Sequence, residues 1–157
     1  MATLIVKFVD RWETELKGAV GDIALAFGDL QQVLRLTPKR IRHIKWKEWK
    51  ALPKNKNDAK VMVDGRVKQI KAEYTAVHGD MAPDVEAIIR EVREINKLRN
   101  TIFHGLWVQN QNTTEPLILD SGRRVPIDVA ALTDYARRIR TARDRLNEYQ
   151  WPAVPKR

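Results

Sequence analysis

Apolar residues recur at three- and four-residue steps through the first part of the chain. Phe8, Trp12, Leu16, Val20, Ile23, Phe27, Leu30 and Leu34 fall on one stripe when wound at about 3.6 residues per turn. That spacing predicts a long amphipathic helix over residues 3–36, closed by Thr37-Pro38 because the residue before a proline avoids helical backbone angles. Gly21, Ala24 and Gly28 share one face and offer a neighbouring helix a close approach; a break near Gly18 to Gly21 is the alternative. Val63, Val67, Ile70 and Tyr74 predict a second helix over 59–77, with Asp58 as its N-cap and His78-Gly79 as its end. A third starts at Ala82-Pro83-Asp84, where proline suits the first turn. It carries Val85, Ile88, Ile89, Val92, Ile95, Ile102 and Phe103 and stops near Gly105.

Beyond Gly105 the period shortens from helical to extended. Leu106-Trp107-Val108 and Leu117-Ile118-Leu119 are β-prone, and Asp120-Ser121-Gly122-Arg123 is a turn before Arg124-Val125-Pro126-Ile127. Residues 106–127 therefore predict a small hairpin or meander. Asp128 caps a last helix with Leu132, Tyr135, Ile139, Ala142, Leu146 and Tyr149 on one face. The expected fold class is all-α: a single domain over residues 1–157 with about four main helices in a bundle, a connector over 38–58 and a β-hairpin insertion before the last helix.

Charge changes the picture at the connector. The chain holds 29 Lys plus Arg against 20 Asp plus Glu, a formal charge of +9, which favours polyanionic partners and nucleic acid first among them. Lys39, Arg40, Arg42, Lys45, Lys47, Lys50, Lys54, Lys56 and Lys60 face only Glu48 and Asp58, with Trp46 and Trp49 interleaved. Such a surface tracks phosphates and stacks bases. A solvated basic loop with two tryptophans docked on the core is the alternative.

The chain has no cysteine, which excludes disulfides, thiolate metal sites and cysteine nucleophiles. Leu4-Ile5-Val6 with Phe8 and Val9 is interrupted by Lys7 and is too short to span a bilayer or resemble a signal peptide. The expectation is a cytoplasmic protein with no membrane partner. His43, His78 and His104 are scattered and no glycine-rich phosphate loop occurs, so neither a metal nor a cofactor is expected.

The densest chemistry lies in residues 99–105, Arg-Asn-Thr-Ile-Phe-His-Gly. On the wheel of the third helix Arg99 falls within the stripe of Val85, Val92, Ile95 and Ile102, where a plain bundle places an apolar residue. A guanidinium there meets either an internal acid such as Glu91, Glu94 or Glu13, or an interface that admits an anion. Asn96, Asn100 and His104 edge the stripe at four-residue steps. An ordinary histidine in a last helical turn, with Gly105 as left-handed cap, is the plainer account of His104.

Arg99-Asn100, three residues, then His104 resembles the signature of the HEPN superfamily, small helical proteins whose motif sits near the end of a bundle helix. The resemblance implies metal-independent RNA cleavage in a cleft shared by two copies of the chain. It makes His104 the general base or acid around a ribose 2′-OH and the leaving 5′-oxygen. Arg99 binds the scissile phosphate, and Asn100 orients His104 or donates to a phosphate oxygen. Some toxin members carry a tyrosine two positions after the histidine, where a partner enzyme silences them; here that position is Leu106.

The leading expectation is a homodimeric endoribonuclease, a toxin or defence effector, acting on RNA with a protein inhibitor or antitoxin as a further partner. Its nucleic-acid surface would be Lys39, Arg40, Arg42, Lys45, Trp46, Lys47, Trp49, Lys50 and Asn96. A non-catalytic nucleic-acid-binding or assembly module is the second expectation, and an antitoxin-like scaffold subunit the third.

Overall fold

The computed structural model describes residues 4–6, 14–51, 62–110 and 116–156. In chain order the elements are β1 (Leu4–Val6), α1 (Thr14–Ile41), α2 (Trp46–Ala51), α3 (Val63–His78) and α4 (Pro83–His104). They continue with β2 (Leu106–Asn110), β3 (Pro116–Asp120), β4 (Arg123–Pro126) and α5 (Val129–Glu148). The fold is mainly helical with a small antiparallel sheet entered just before the last helix, as the change of period after Gly105 predicts. Phe8, Trp12, Glu13, Asp58, Lys54, Lys56 and Lys60 lie outside the described residues.

The chain clusters into two compact units. The first comprises Met1–Phe27 and Glu94–Arg140. Its core contains Ile23, Phe27, Ile95, Ile102, Val108, Ile118, Leu132 and Ile139. The sheet has the order β1-β2-β3-β4, with Leu106 opposite Leu119 and Asp120 opposite Arg123. Ser121 and Gly122 both take positive φ, 49° and 81°, which is the two-residue hairpin turn whose twist suits the flanking strands. Asp128 caps α5 by accepting from the Ala131 N–H at 2.7 Å.

One expectation is corrected in this unit. Leu4–Val6 is not the start of the first helix but a strand, paired with residues 108–110 of β2. The apolar run therefore extends the expected meander by a fourth strand at its other edge.

The second unit comprises Gly28–Arg93 and Thr141–Arg157, and buries Leu30, Leu34, Ile41, Val67, Ile70, Ile89, Val92 and Leu146. Here α1 continues past Thr37-Pro38 to Ile41, against the expected closure. A proline inside a helix costs about 3 kcal/mol, because it removes one backbone donor and crowds the preceding turn. Complete burial of Ile41, the apolar residue of the extension, contributes roughly 1.5–3 kcal/mol and offsets much of that cost. Thr37, also fully buried, satisfies its hydroxyl on the Val33 carbonyl at 2.8 Å. The connector is likewise not wholly irregular, since Trp46–Ala51 forms a short helix with no buried residue.

Among the described residues, a Cβ added at Gly18, Gly21 or Gly28 would meet nothing within 4 Å, so no described neighbour packs closely on the small-residue face, and α1 is unbroken there.

Candidate functional site

The motif is carried by the last two turns of α4, in the first unit. Ile95 and Ile102 are buried and fix the inner face of these turns. The Tyr135 hydroxyl donates to the Ile95 carbonyl, Thr101 Oγ1 donates to Asp120 Oδ2 at 2.8 Å, and Trp107 Nε1 donates to the Ile102 carbonyl at 2.8 Å. The last of these satisfies a carbonyl that the end of a helix otherwise leaves unpaired. The motif turn is thereby fastened to the sheet and to α5.

Gly105 makes the junction possible. It is not a left-handed cap, since positive φ among the glycines occurs only at Gly79 and Gly122 within the described residues. A Cβ on Gly105 would lie 2.2 Å from Ile118 Cγ2 and 2.4 Å from the Thr101 carbonyl oxygen. Close approach of the β3 side chain to the helix end is the reason for glycine here.

On the outer side, Arg99 gathers the motif. Its Nη1 donates to Asn100 Oδ1 and lies against His104 Nε2, both at 3.2 Å. A guanidinium only donates, so the contact is a hydrogen bond when Nε2 is the unprotonated ring nitrogen. Arg99 rather than Asn100 is thus the group that touches His104. The guanidinium carbon also stands 5.4 Å from the centroids of both Phe27 and Phe103. Each aromatic contact with a cation contributes about 0.5–1 kcal/mol at an exposed site.

Arg99 interrupts the apolar stripe with its guanidinium against two rings, and among the described residues no carboxylate pairs with it. Glu94 is held by Lys97 at 2.7 Å, and that hydrogen bond with the charge of Lys97 lowers the Glu94 carboxyl below its ordinary range. Both Nη1 hydrogens are engaged, which leaves the Nε and Nη2 donors for a bidentate anion. Asn100 and His104 are exposed and Asn96 is half-buried one turn earlier. The arrangement offers an anion-binding fork beside an exposed imidazole whose Nε2 becomes open to a proton only when Arg99 Nη1 turns away to an anion.

Phe103 departs from its expected place in the core. It is 38% exposed, whereas its neighbour Ile102 is 4% exposed. Its partnership with Arg99 was visible as a four-residue step on a helix. The contribution of Phe27 was not, because it comes from α1.

The basic candidates belong to the second unit, where several are engaged internally. Arg40 Nη1 donates to the Asn147 carbonyl at 3.1 Å, in the last turn of α5, and Arg42 pairs with Glu73. His43 Nε2 lies 3.2 Å from the Trp151 carbonyl oxygen and 2.8 Å from that of Pro152. The Lys45 backbone N–H donates to Glu48, closing the start of α2. Lys50 Nζ stands 5.2 Å from the Trp46 ring centroid, Trp46 is exposed and Trp49 is half-buried. Lys47 is exposed and Lys39 half-buried.

Among the described residues there is no group of three or more His, Asp or Glu side chains able to hold a metal ion. Among them, too, no helix is long and apolar enough to cross a membrane. No family model, no curated protein and no solved structure matches the chain.

Proposed function

We propose that the chain is a metal-independent endoribonuclease of HEPN type, with Arg99, Asn100 and His104 as its reactive cluster. One observation supports this most: an exposed histidine lies 3.2 Å from an arginine that no described carboxylate neutralises. RNA supplies both an anion for the arginine and an internal nucleophile for the base.

In the proposed reaction His104 Nε2, released as Arg99 turns to the phosphate, takes the proton of a ribose 2′-OH, O2′ forms a bond to phosphorus, and the bond to O5′ breaks as that oxygen takes a proton from water. Arg99 turns its free donors to the phosphate oxygens, where charge builds in the transition state. Asn100 holds the guanidinium in place through its side-chain oxygen. The products are a 2′,3′-cyclic phosphate and a 5′-hydroxyl, and DNA, without the attacking hydroxyl, is not cut.

The proposal includes a homodimer whose two motif helices share one cleft. Leu98 and Leu106, exposed at 36% and 49% beside the motif in the chain, suit such an interface. A cytoplasmic toxin or defence effector restrained by a protein inhibitor is the biological setting proposed for this activity.

The test is incubation with structured RNA and matched DNA in EDTA, using the wild-type chain, Arg99→Ala and His104→Ala. Cleavage of RNA alone, reduced about 100-fold or more in both variants, is expected. Equal cutting by the variants, or cutting of neither nucleic acid, overturns the reading in favour of a non-catalytic binding or assembly module. Mass in solution tests the dimer separately.

A further inference from the structure

We propose that Phe103 is a stacking platform for a nucleobase of the RNA, placed so that the base lies on the ring while Arg99 holds the adjoining phosphate. The inference rests on the ribonuclease reading for the identity of its ligand and adds a substrate-positioning residue that the motif does not contain.

An aromatic residue on an amphipathic helix is ordinarily drawn into the core, and the helix here buries Ile95 and Ile102 as expected. Phe103 instead stands at the surface, four residues after Arg99, three after Asn100 and next to His104. The three- and four-residue steps place the ring beside Asn100 and Arg99 on one patch of helix surface, and Arg99 in turn reaches His104.

The two rings around Arg99 are not equivalent. Phe27, 5% exposed, is a wall of the core and supports the guanidinium from inside. Phe103, at the same 5.4 Å separation, is the solvent-side member, and more than a third of it stays open. An exposed aromatic residue that carries the guanidinium against one side of its ring matches the two halves of a nucleotide, the flat base and the charged phosphate. The +9 charge of the chain favours the same ligand. Stacking uses the π-face that every base possesses, so this subsite tolerates any sequence and favours the larger purine rings.

The experiment uses a short RNA and a series in which each nucleotide in turn is made abasic, with 2′-O-methyl versions for equilibrium binding. Wild type is compared with Phe103→Ala, Phe103→Leu and Phe103→Trp by cleavage rate and by Kd. The alanine and leucine variants should lose about tenfold in affinity and in KM on intact RNA, with tryptophan retaining wild-type values. One abasic position should cost wild type about tenfold and cost Phe103→Ala nothing more.

Equal losses by Phe103→Ala on intact and abasic RNA would overturn the platform, since the ring would then act only through Arg99. Conversion of a dimer to a monomer by Phe103→Ala, without base-dependent coupling, would assign the ring to a protein interface instead. Coupling between ring and base in the 2′-O-methyl series without any cleavage by wild type leaves the platform standing and removes the nuclease reading. No binding to any oligonucleotide removes the platform.

Discussion

Two regions of the chain present cations beside aromatic rings, and they use them in opposite ways. In the segment 39–50, Arg40 is spent on the Asn147 carbonyl in the last turn of α5, Arg42 on Glu73, and His43 on the backbone of Trp151 and Pro152. At the end of α4, Arg99 has two aromatic rings, the Asn100 amide and the His104 imidazole around it and no described carboxylate. The region with the greater charge in the sequence is thus the one whose arginines serve the fold. Availability of a cation depends on which acceptors folding brings to it, and charge density along the chain does not report that.

The comparison breaks first, and most severely, if Arg99→Ala leaves RNA cleavage intact while Arg42→Ala abolishes it. Next in size is Gly105→Ala, which forces a methyl into space held by Ile118 and the Thr101 carbonyl. Overpacking of this kind costs about 1–3 kcal/mol, so a fall in melting temperature of roughly 3–10 °C is expected, with loss of activity beyond it as the motif turn shifts. An unchanged melting curve would show that the junction relaxes freely.

Arg42→Ala should lower stability by about 1 kcal/mol in urea, because its partner Glu73 is largely covered and loses its cation. Lys47→Ala, at an exposed site, should leave the urea midpoint in place and lower the slope of log affinity for RNA against log salt by about one. The reverse pattern would mean that the segment's arginines face the ligand after all.

The smallest effect concerns Tyr149, whose hydroxyl lies 3.3 Å from Asp84 Oδ1 and whose ring packs on Trp151. Burial, then the charge of Asp84 and the hydrogen bond to it, raise this phenol above its ordinary value. The fold favours the neutral form, so the contribution is whole below about pH 10 and is lost as pH climbs through the raised value. Tyr149→Phe should flatten the fall of stability above pH 10. An equally steep fall in the variant would place the alkaline sensitivity elsewhere.

What the sequence reveals follows the range of the interactions involved. Pro83 at the start of α4, Asp128 before α5 and Ser121-Gly122 in the hairpin act on neighbours a few residues away, and each lies where local chemistry puts it. Pro38 is a strong local stop, yet α1 runs through it because Ile41 gains a buried place in a core that no short window displays. Leu4–Val6 fits the helical period and becomes a strand because its partner, β2, lies far along the chain. At the site, the spacing of Arg99, Asn100 and His104 is legible on a helical wheel. That Phe27 backs the guanidinium and that Ile118 dictates glycine at 105 depends on packing between distant segments.

Among the described residues β4 is one of the two outer strands of the sheet, with Arg123 and Arg124 exposed and a proline at its last position. An outer strand offers unpaired backbone groups to any extended chain that passes, and is the usual starting point for runaway fibre growth. Two adjacent guanidinium groups repel the same strand of another copy, and proline removes a donor from the ladder. At the β4 edge, charge repulsion and a missing donor therefore both disfavour the pairing of one copy with another.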